Sequence, residues 1–309
     1  MPAKWFIDGD TKVLIEDVLS GQVKMDNFPL AYLKEVASRG WDGSLHVTDL
    51  YNGARETFLK HTTFYSVHPD KAAFAVAGTL KHAALENEED DFSELSIEYK
   101  GIKGTLDLVE EQPNGELWLV DYKNQGAFAV RKFMGWVKTY VEELDTQGIP
   151  VRFKSGKRKG EIKYKSHWVL DPSKADKTQY EYQLNIYRKA IEESLDVKIA
   201  KMRIFFILRD GGLAATVNQG LSRNTYYLDV DFLDDEVIDS YIEERSDLKI
   251  KINNFLESEN TDAKQRFELL KKLTPEMCTN KERWYDKDTG IYKKCENYCD
   301  VREICGKLK

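Results

Sequence analysis

The stretch that decides the fold is Gly101-Ile102-Lys103-Gly104-Thr105-Leu106-Asp107-Leu108-Val109-Glu110-Glu111-Gln112-Pro113-Asn114-Gly115-Glu116-Leu117-Trp118-Leu119-Val120-Asp121-Tyr122-Lys123-Asn124-Gln125. Two runs rich in β-forming residues flank Pro113-Asn114-Gly115, a strong turn signal, so the stretch predicts a β-hairpin. Each run holds an aspartate in an otherwise apolar setting, Asp107 after Gly104-Thr105-Leu106 and Asp121 before Tyr122-Lys123. A buried carboxylate is costly unless a positive charge stands against it. Two carboxylates and a lysine brought to one sheet face therefore point to a divalent metal site. Register decides whether they meet. A two-residue Asn114-Gly115 turn would pair Asp107 with Tyr122 and put the aspartates on opposite faces. A three-residue loop, or a bulge, would pair Asp107 with Asp121. The second register is expected, because only it lets both carboxylates reach one ion; Tyr122 then faces the other way, into core.

Further segments line up around the hairpin. Residues 1 to about 40 read as short helices, with Leu14, Ile15, Val18, Leu30, Leu33 and Val36 at helical spacing. Thr48 is a candidate cap for a helix whose apolar face is Leu50, Tyr51, Ala54, Phe58 and Leu59. A helix from about Lys71 to Glu88 carries His82. Another is expected over Phe128 to Leu144, with Val130, Phe133, Val137, Val141 and Leu144 on one face. Residues 180–194 form a helix on which Gln183 and Tyr187, at i and i+4, share a face. Strands follow at 201–208 and 225–230, then a long amphipathic helix at 234–257.

A Gly-x-x-Asp followed after a short turn by Asp-x-Lys resembles the core of the PD-(D/E)XK nucleases, in their RecB-like branch. That branch adds a histidine on an upstream helix and a Gln-x-x-x-Tyr downstream; Gly78-Thr79-Leu80-Lys81-His82 and Gln183-Leu184-Asn185-Ile186-Tyr187 stand in those places. The likeness spans roughly residues 45 to 305. It implies an α/β fold, a mixed central sheet flanked by helices. Residues 1–44 would be an N-terminal helical segment, 45–257 the nuclease core, and 258–309 a helical tail clamped by cysteines. Hard cations want oxygen ligands, so Asp107 and Asp121 are expected to hold Mg²⁺ or Mn²⁺, with His82 as a third ligand. Lys123 would orient water and offset charge on the phosphate. The resemblance gives Gln183 and Tyr187 the positioning of the substrate phosphate and of the lysine. The implied activity is that of a metal-dependent DNA exonuclease, most like the CRISPR-associated, AddB-type and phage recombination exonucleases. A non-catalytic DNA-binding or assembly protein on the same fold is the alternative from another class, and a structure-specific endonuclease a third.

Between two of these motifs, residues 148–179 depart in composition. Lys154, Lys157, Arg158, Lys159, Lys163 and Lys165 are interleaved with Phe153, Tyr164 and Trp168. Cations among aromatics suit neutralisation of a nucleic-acid backbone plus base stacking; a solvated, lysine-rich hairpin is the plainer reading. DNA contact is favoured because the segment is the most basic in the chain. The net charge of −7 over 309 residues neither requires nor excludes a nucleic-acid partner.

The four cysteines, Cys278, Cys295, Cys299 and Cys305, all lie near the C-terminal end. Four thiolates could close a zinc site or hold an iron–sulfur cluster. Neither familiar zinc spacing, with two close pairs, is present. Cys295, Cys299 and Cys305 resemble the C-terminal triplet of RecB-like iron–sulfur nucleases, with a first gap one residue longer. In those relatives a further cysteine precedes the arginine of the helix here carrying Arg55. Gly53-Ala54 occupy that place, so Cys278 is expected to substitute for it. A structural [4Fe-4S] cluster is the favoured reading over Zn²⁺.

No apolar run approaches bilayer-spanning length and the N-terminus lacks signal-peptide character, so a cytoplasmic protein without a membrane partner is expected. There is no Gly-x-x-x-x-Gly-Lys-Ser/Thr phosphate loop. Any ATP-driven unwinding would come from a helicase or recombinase partner in trans. The sequence sets neither polarity, strand preference nor oligomeric state.

Overall fold

The structure is a computed structural model that describes residues 3–38, 44–85, 93–259 and 261–308. It opens with β1 (Trp5–Asp8) and β2 (Thr11–Leu14), followed by α1 (Ile15–Leu19) and α2 (Leu30–Ala37). The expectation of helices alone is thus corrected. Trp5-Phe6-Ile7 are β-formers, and Gly9 takes the positive φ, 59°, that a two-residue hairpin turn demands. Then come β3 (Leu45–His46), α3 (Val47–Leu50), α4 (Ala54–Thr62), β4 (Ser66–Val67) and α5 (Pro69–Leu85). β4 pairs in parallel with β1. Phe6, Val18, Met25, Leu33 and Val36 share a small core with Val76 of α5. The N-terminal segment therefore completes its core with residues well beyond 44.

Two short helices replace the single one expected after residue 48. The cap is His46, whose backbone N–H donates to the Asp49 carboxylate at 3.0 Å. Tyr51 leaves helical geometry at φ −102°, and Gly53, extended at φ −60° and ψ 132°, starts α4.

The remaining elements are β5 (Ser93–Tyr99), β6 (Ile102–Glu111), β7 (Leu117–Gln125), α6 (Ala127–Met134), β8 (Trp136–Glu142), β9 (Tyr164–Leu170), α7 (Thr178–Leu195), β10 (Ile199–Leu208), α8 (Ala214–Val217), β11 (Thr225–Val230), α9 (Asp235–Leu256), α10 (Ala263–Leu273), α11 (Lys293–Asn297) and α12 (Arg302–Lys307). The central sheet runs β11-β10-β7-β6-β3, with β5 on the other edge of β6. It is mixed: β7–β10 and β3–β6 are parallel, the other pairs antiparallel. The fold is α/β, as the sequence predicts. Along β10 the buried Met202, Ile204, Phe206 and Leu208 alternate with half-buried neighbours, and Phe206 meets Phe133 of α6 and Tyr180 of α7.

The helix expected over 128–144 stops at Met134. Gly135 closes it in the left-handed region at φ 85°, donating its N–H to Arg131 O at 3.0 Å. A Cβ there would stand 2.2 Å from Asp171 O, so only glycine fits. The chain then becomes a β-ribbon, β8 against β9, in which Val137, Thr139 and Val141 alternate with Trp136, Lys138 and Tyr140. This period of two overrode the helical spacing of Val137, Val141 and Leu144.

Candidate active site

The hairpin adopts the register that brings the aspartates together. β6 and β7 pair from Glu111↔Leu117 to Leu108↔Val120, where the ladder ends; the same register continued would set Asp107 opposite Asp121. The loop has three residues, with Gly115 at φ 81° and its N–H on Gln112 O at 2.8 Å. Beyond Leu108 the Tyr122 N–H is donated to the Asp107 carboxylate at 2.6 Å. Tyr122 points its ring to the opposite face, against the edge of Phe205 at 5.9 Å.

An opening in the sheet makes room for the site. β5 takes one edge of β6 along 102–108. On the other edge β7 pairs only with 108–111 and β3 only with 102–103. Residues 104–107 thus face a gap between two partner strands. The ring of Tyr187 packs over the sheet face beside this gap: a Cβ on Gly104 would lie 2.6 Å from Tyr187 Cε1 and 3.2 Å from Val47 Cγ2. The glycine three residues before Asp107 is there to admit this tyrosine.

Asp121 is 1% exposed and forms an ion pair with the Lys123 ammonium. Gln183 of α7 donates one Nε2 to both Asp121 Oδ1 (3.3 Å) and Tyr187 Oη (3.2 Å). Burial first, then the Asp121 charge, holds the Tyr187 phenol far above its ordinary range, so it stays protonated. Asp107, Asp121, Lys123, Gln183 and Tyr187, from three separate elements, are therefore one cluster. His82 falls in the last turns of α5, where side chains lie outside the described residues.

Tyr51 belongs to the cluster and was not singled out from sequence. Its hydroxyl donates to Gln183 Oε1 at 3.5 Å. Burial, then Tyr187 and Asp121, push its phenol well up. Its position in the break between α3 and α4 carried no motif; the only signal was an aromatic at a helix end two residues before a glycine.

The cysteines gather elsewhere, around the start of α4. Cys278 Sγ lies 2.6 Å from where a Cβ on Gly53 would be, so this thiol occupies the space of a side chain at 53. The Glu56 N–H points at it, which lowers its pKa, but burial outweighs this and raises it. Cys305 Sγ accepts from Arg55 Nε at 3.1 Å. Burial also pushes up Cys295, and takes Cys299 to about 12. Among the described residues no three His, Cys, Asp or Glu side chains stand close enough together to hold a metal ion.

The basic residues lie on the extended ribbon, where Lys154, Lys157, Arg158, Lys159 and Lys165 are exposed and Lys163 is half-buried. Arg158 is committed locally, to Glu161 at 2.6 Å and over Phe153 at 4.4 Å. On one face of β8–β9, Tyr140 and Tyr164 are diagonal neighbours, 62% and 52% exposed, with Lys138 over the Tyr140 ring at 5.5 Å. The segment therefore begins at Trp136, earlier than composition indicated. No described helix is long and apolar enough to cross a membrane.

No family model matches the chain, and no curated protein matches it. Among solved structures, one described as "Crystal structure of SSO0001" aligns with 90% of this chain and 94% of its own, at 15% identity. Its TM-score of 0.37 is too low to carry an argument about either fold family or function.

Proposed function

We propose that the chain is a metal-dependent deoxyribonuclease of the RecB-like PD-(D/E)XK kind, acting as an exonuclease in DNA recombination, repair or phage- or CRISPR-type DNA processing. The observation that supports this reading is the meeting of Asp107, Asp121, Lys123, Gln183 and Tyr187 at the gap in β6. These groups provide hard anionic donors, a cation and a protonated phenol within one cluster, the requirements of phosphodiester hydrolysis.

Two carboxylates in one cluster offer hard oxygen donors, and Asp107 and Asp121 would hold Mg²⁺ or Mn²⁺ with His82 as the third ligand. Bound there, the ion would polarise the scissile phosphate as a Lewis acid. Lys123 balances the buried Asp121 charge and offers its ammonium to the phosphate. Gln183 fixes the orientation of the Asp121 carboxylate. Tyr187, accepting from Gln183, keeps its own hydrogen to donate toward substrate oxygen.

The ribbon would contact DNA, its lysines on the backbone and Tyr140 and Tyr164 as stacking surfaces. The four thiols near the start of α4 are not within joint ligand distance as they lie; drawn together they would hold a [4Fe-4S] cluster, soft donors suiting iron or zinc. Cys278 supplies the place that Gly53 leaves empty. The reading of a non-catalytic DNA-binding protein differs in one measurable respect. End-labelled single- and double-stranded DNA should be degraded with Mn²⁺ and survive without it. DNA that survives with Mn²⁺ while still being bound would overturn the enzymatic reading. Cutting of a closed circle would instead indicate an endonuclease.

A further inference from the structure

Between the active site and the cysteine tail lies one short segment, residues 51–56, whose polar side chains reach both. Tyr51 holds Gln183. Asn52 Oδ1 accepts from Lys294 at 3.3 Å. Gly53 packs on Cys278 Sγ. Arg55 donates to Cys305 Sγ at 3.1 Å, Pro275 O at 3.0 Å, Cys305 O at 3.4 Å and Leu308 O at 3.3 Å. Glu56 pairs with Lys294 at 2.7 Å.

Arg55 and Glu56 are 7% and 6% exposed. A guanidinium that buried is tolerable only while its acceptors are present. All the hydrogen bonds Arg55 makes among the described residues go to the tail, so the start of α4 and the tail hold each other in place. Just upstream, the Leu50 carbonyl accepts from Tyr241 Oη at 2.9 Å and Arg245 Nε at 2.5 Å. Tyr51 therefore sits between a point fixed by α9 and a stretch gripped by the tail, in the break between α3 and α4.

The Tyr51 contact matters to Gln183 because a primary amide presents two chemically different ends. Donation from Tyr51 to Oε1 leaves Nε2 for Asp121 and Tyr187. A hydroxyl moved off Oε1 removes one of the bonds that fix which end faces the carboxylate.

We propose that the docked C-terminal tail sets the position of the Gln183 amide through Tyr51, with residues 51–56 as the lever. Tyr51 is then a positioning residue, and the tail a regulatory element of the catalytic cluster as well as a structural one. The inference rests on Gln183 belonging to the active site.

The test follows the Gln183 side-chain amide by NMR in the full-length protein, assigned by its disappearance in Gln183→Met, without DNA or added metal. Tyr51→Phe removes the hydroxyl, and Arg55→Gln loosens the tail. The expected result is a shift of the Gln183 amide pair in both variants, with the double variant matching Tyr51→Phe alone. If Arg55→Gln fails to fold, Lys294→Gln, which breaks the contacts to Asn52 and Glu56, takes its place in the comparison. An unmoved amide in a variant whose tail has become protease-sensitive would overturn the proposal. So would shifts that simply add in the double variant. Because neither DNA nor added divalent metal enters, failure here leaves the nuclease reading standing, and failure of the cleavage assay leaves this coupling testable.

Discussion

At the scale of single residues, the cluster is a balance of buried charge. Asp121 sits almost wholly out of water beside Lys123, and removing one partner of a buried pair costs about 3–5 kcal/mol because the other stays uncompensated. Asp107→Ala, Asp121→Ala and Lys123→Ala are each expected to abolish cleavage. Lys123→Ala is also expected to lower metal-free stability in urea more than Asp107→Ala. Asp107→Ala exposes a lesser fault, one Tyr122 N–H without its acceptor, worth about 1–3 kcal/mol. Cleavage by Asp107→Ala would put the active site elsewhere. Gly104 tests the geometry without touching a charge. Gly104→Ala drives a methyl into Tyr187 and Val47, and overpacking of this kind costs about 1–3 kcal/mol. Cleavage should fall sharply with every carboxylate intact; full activity in that variant would mean the Tyr187 ring is not needed where it lies.

At the scale of elements, the ribbon is the part most separable from the core. Gly135 and Asp171 close its base, where Asp171 N–H donates to Gly135 O at 2.9 Å. Its outer half carries the exposed Lys154, Lys157 and Lys159. Reversing Lys157, Arg158 and Lys159 should weaken DNA binding and reduce its salt slope by roughly one unit per lost phosphate contact, with thermal stability unchanged. Arg158 contributes less than the two lysines, since Glu161 already engages it. Binding measured from low to high salt checks this, and an unchanged slope would make the ribbon a solvated arm. The exposed pair Tyr140 and Tyr164 separates stacking from charge: Tyr140→Ala should weaken binding and leave the slope as it was.

Over the whole molecule, the tail is joined to the core by buried polar groups as much as by apolar ones. Val301 is buried, and Ile304 and Leu308 pack on the main core, while Arg55 and Lys60 of α4 hold tail backbone and Asp300, and Lys294 of the tail holds Glu56 of α4. Protein purified without air is expected to be brown, with about four irons per chain. Cys278→Ala should lose colour as fully as Cys299→Ala, and its tail should become protease-sensitive while the hairpin stays protected. Colourless protein with one zinc per chain would overturn the iron assignment and keep the structural role. The α9 clamp on Leu50 has its own pH signature. Burial pushes Tyr241 up to about 12, despite the opposing charge of Arg245. A raised phenol stabilises the fold fully below its unfolded value near 10, and that contribution is lost as pH rises toward 12. Wild-type stability should therefore fall across that interval, and Tyr241→Phe should fall less, as chemical denaturation at stepped pH would register.

The sequence by itself determined the central hairpin, its three-residue loop and the shared face of Asp107 and Asp121. Those follow from local turn chemistry and a period of two, which neighbours in the chain suffice to set. It also placed α7, β10, β11 and α9, whose apolar periodicities are long. It misjudged the N-terminal hairpin and the ribbon; in the ribbon Val137 and Val141, four apart, satisfy a helical spacing as well as a strand one until Gly135 is seen to need a positive φ. Tertiary structure alone decided that Tyr187 fills the space over Gly104 and that Tyr51 meets Gln183. Each joins residues more than eighty positions apart, so no local pattern could announce it; the contact exists only once the sheet gap and the docked tail have formed.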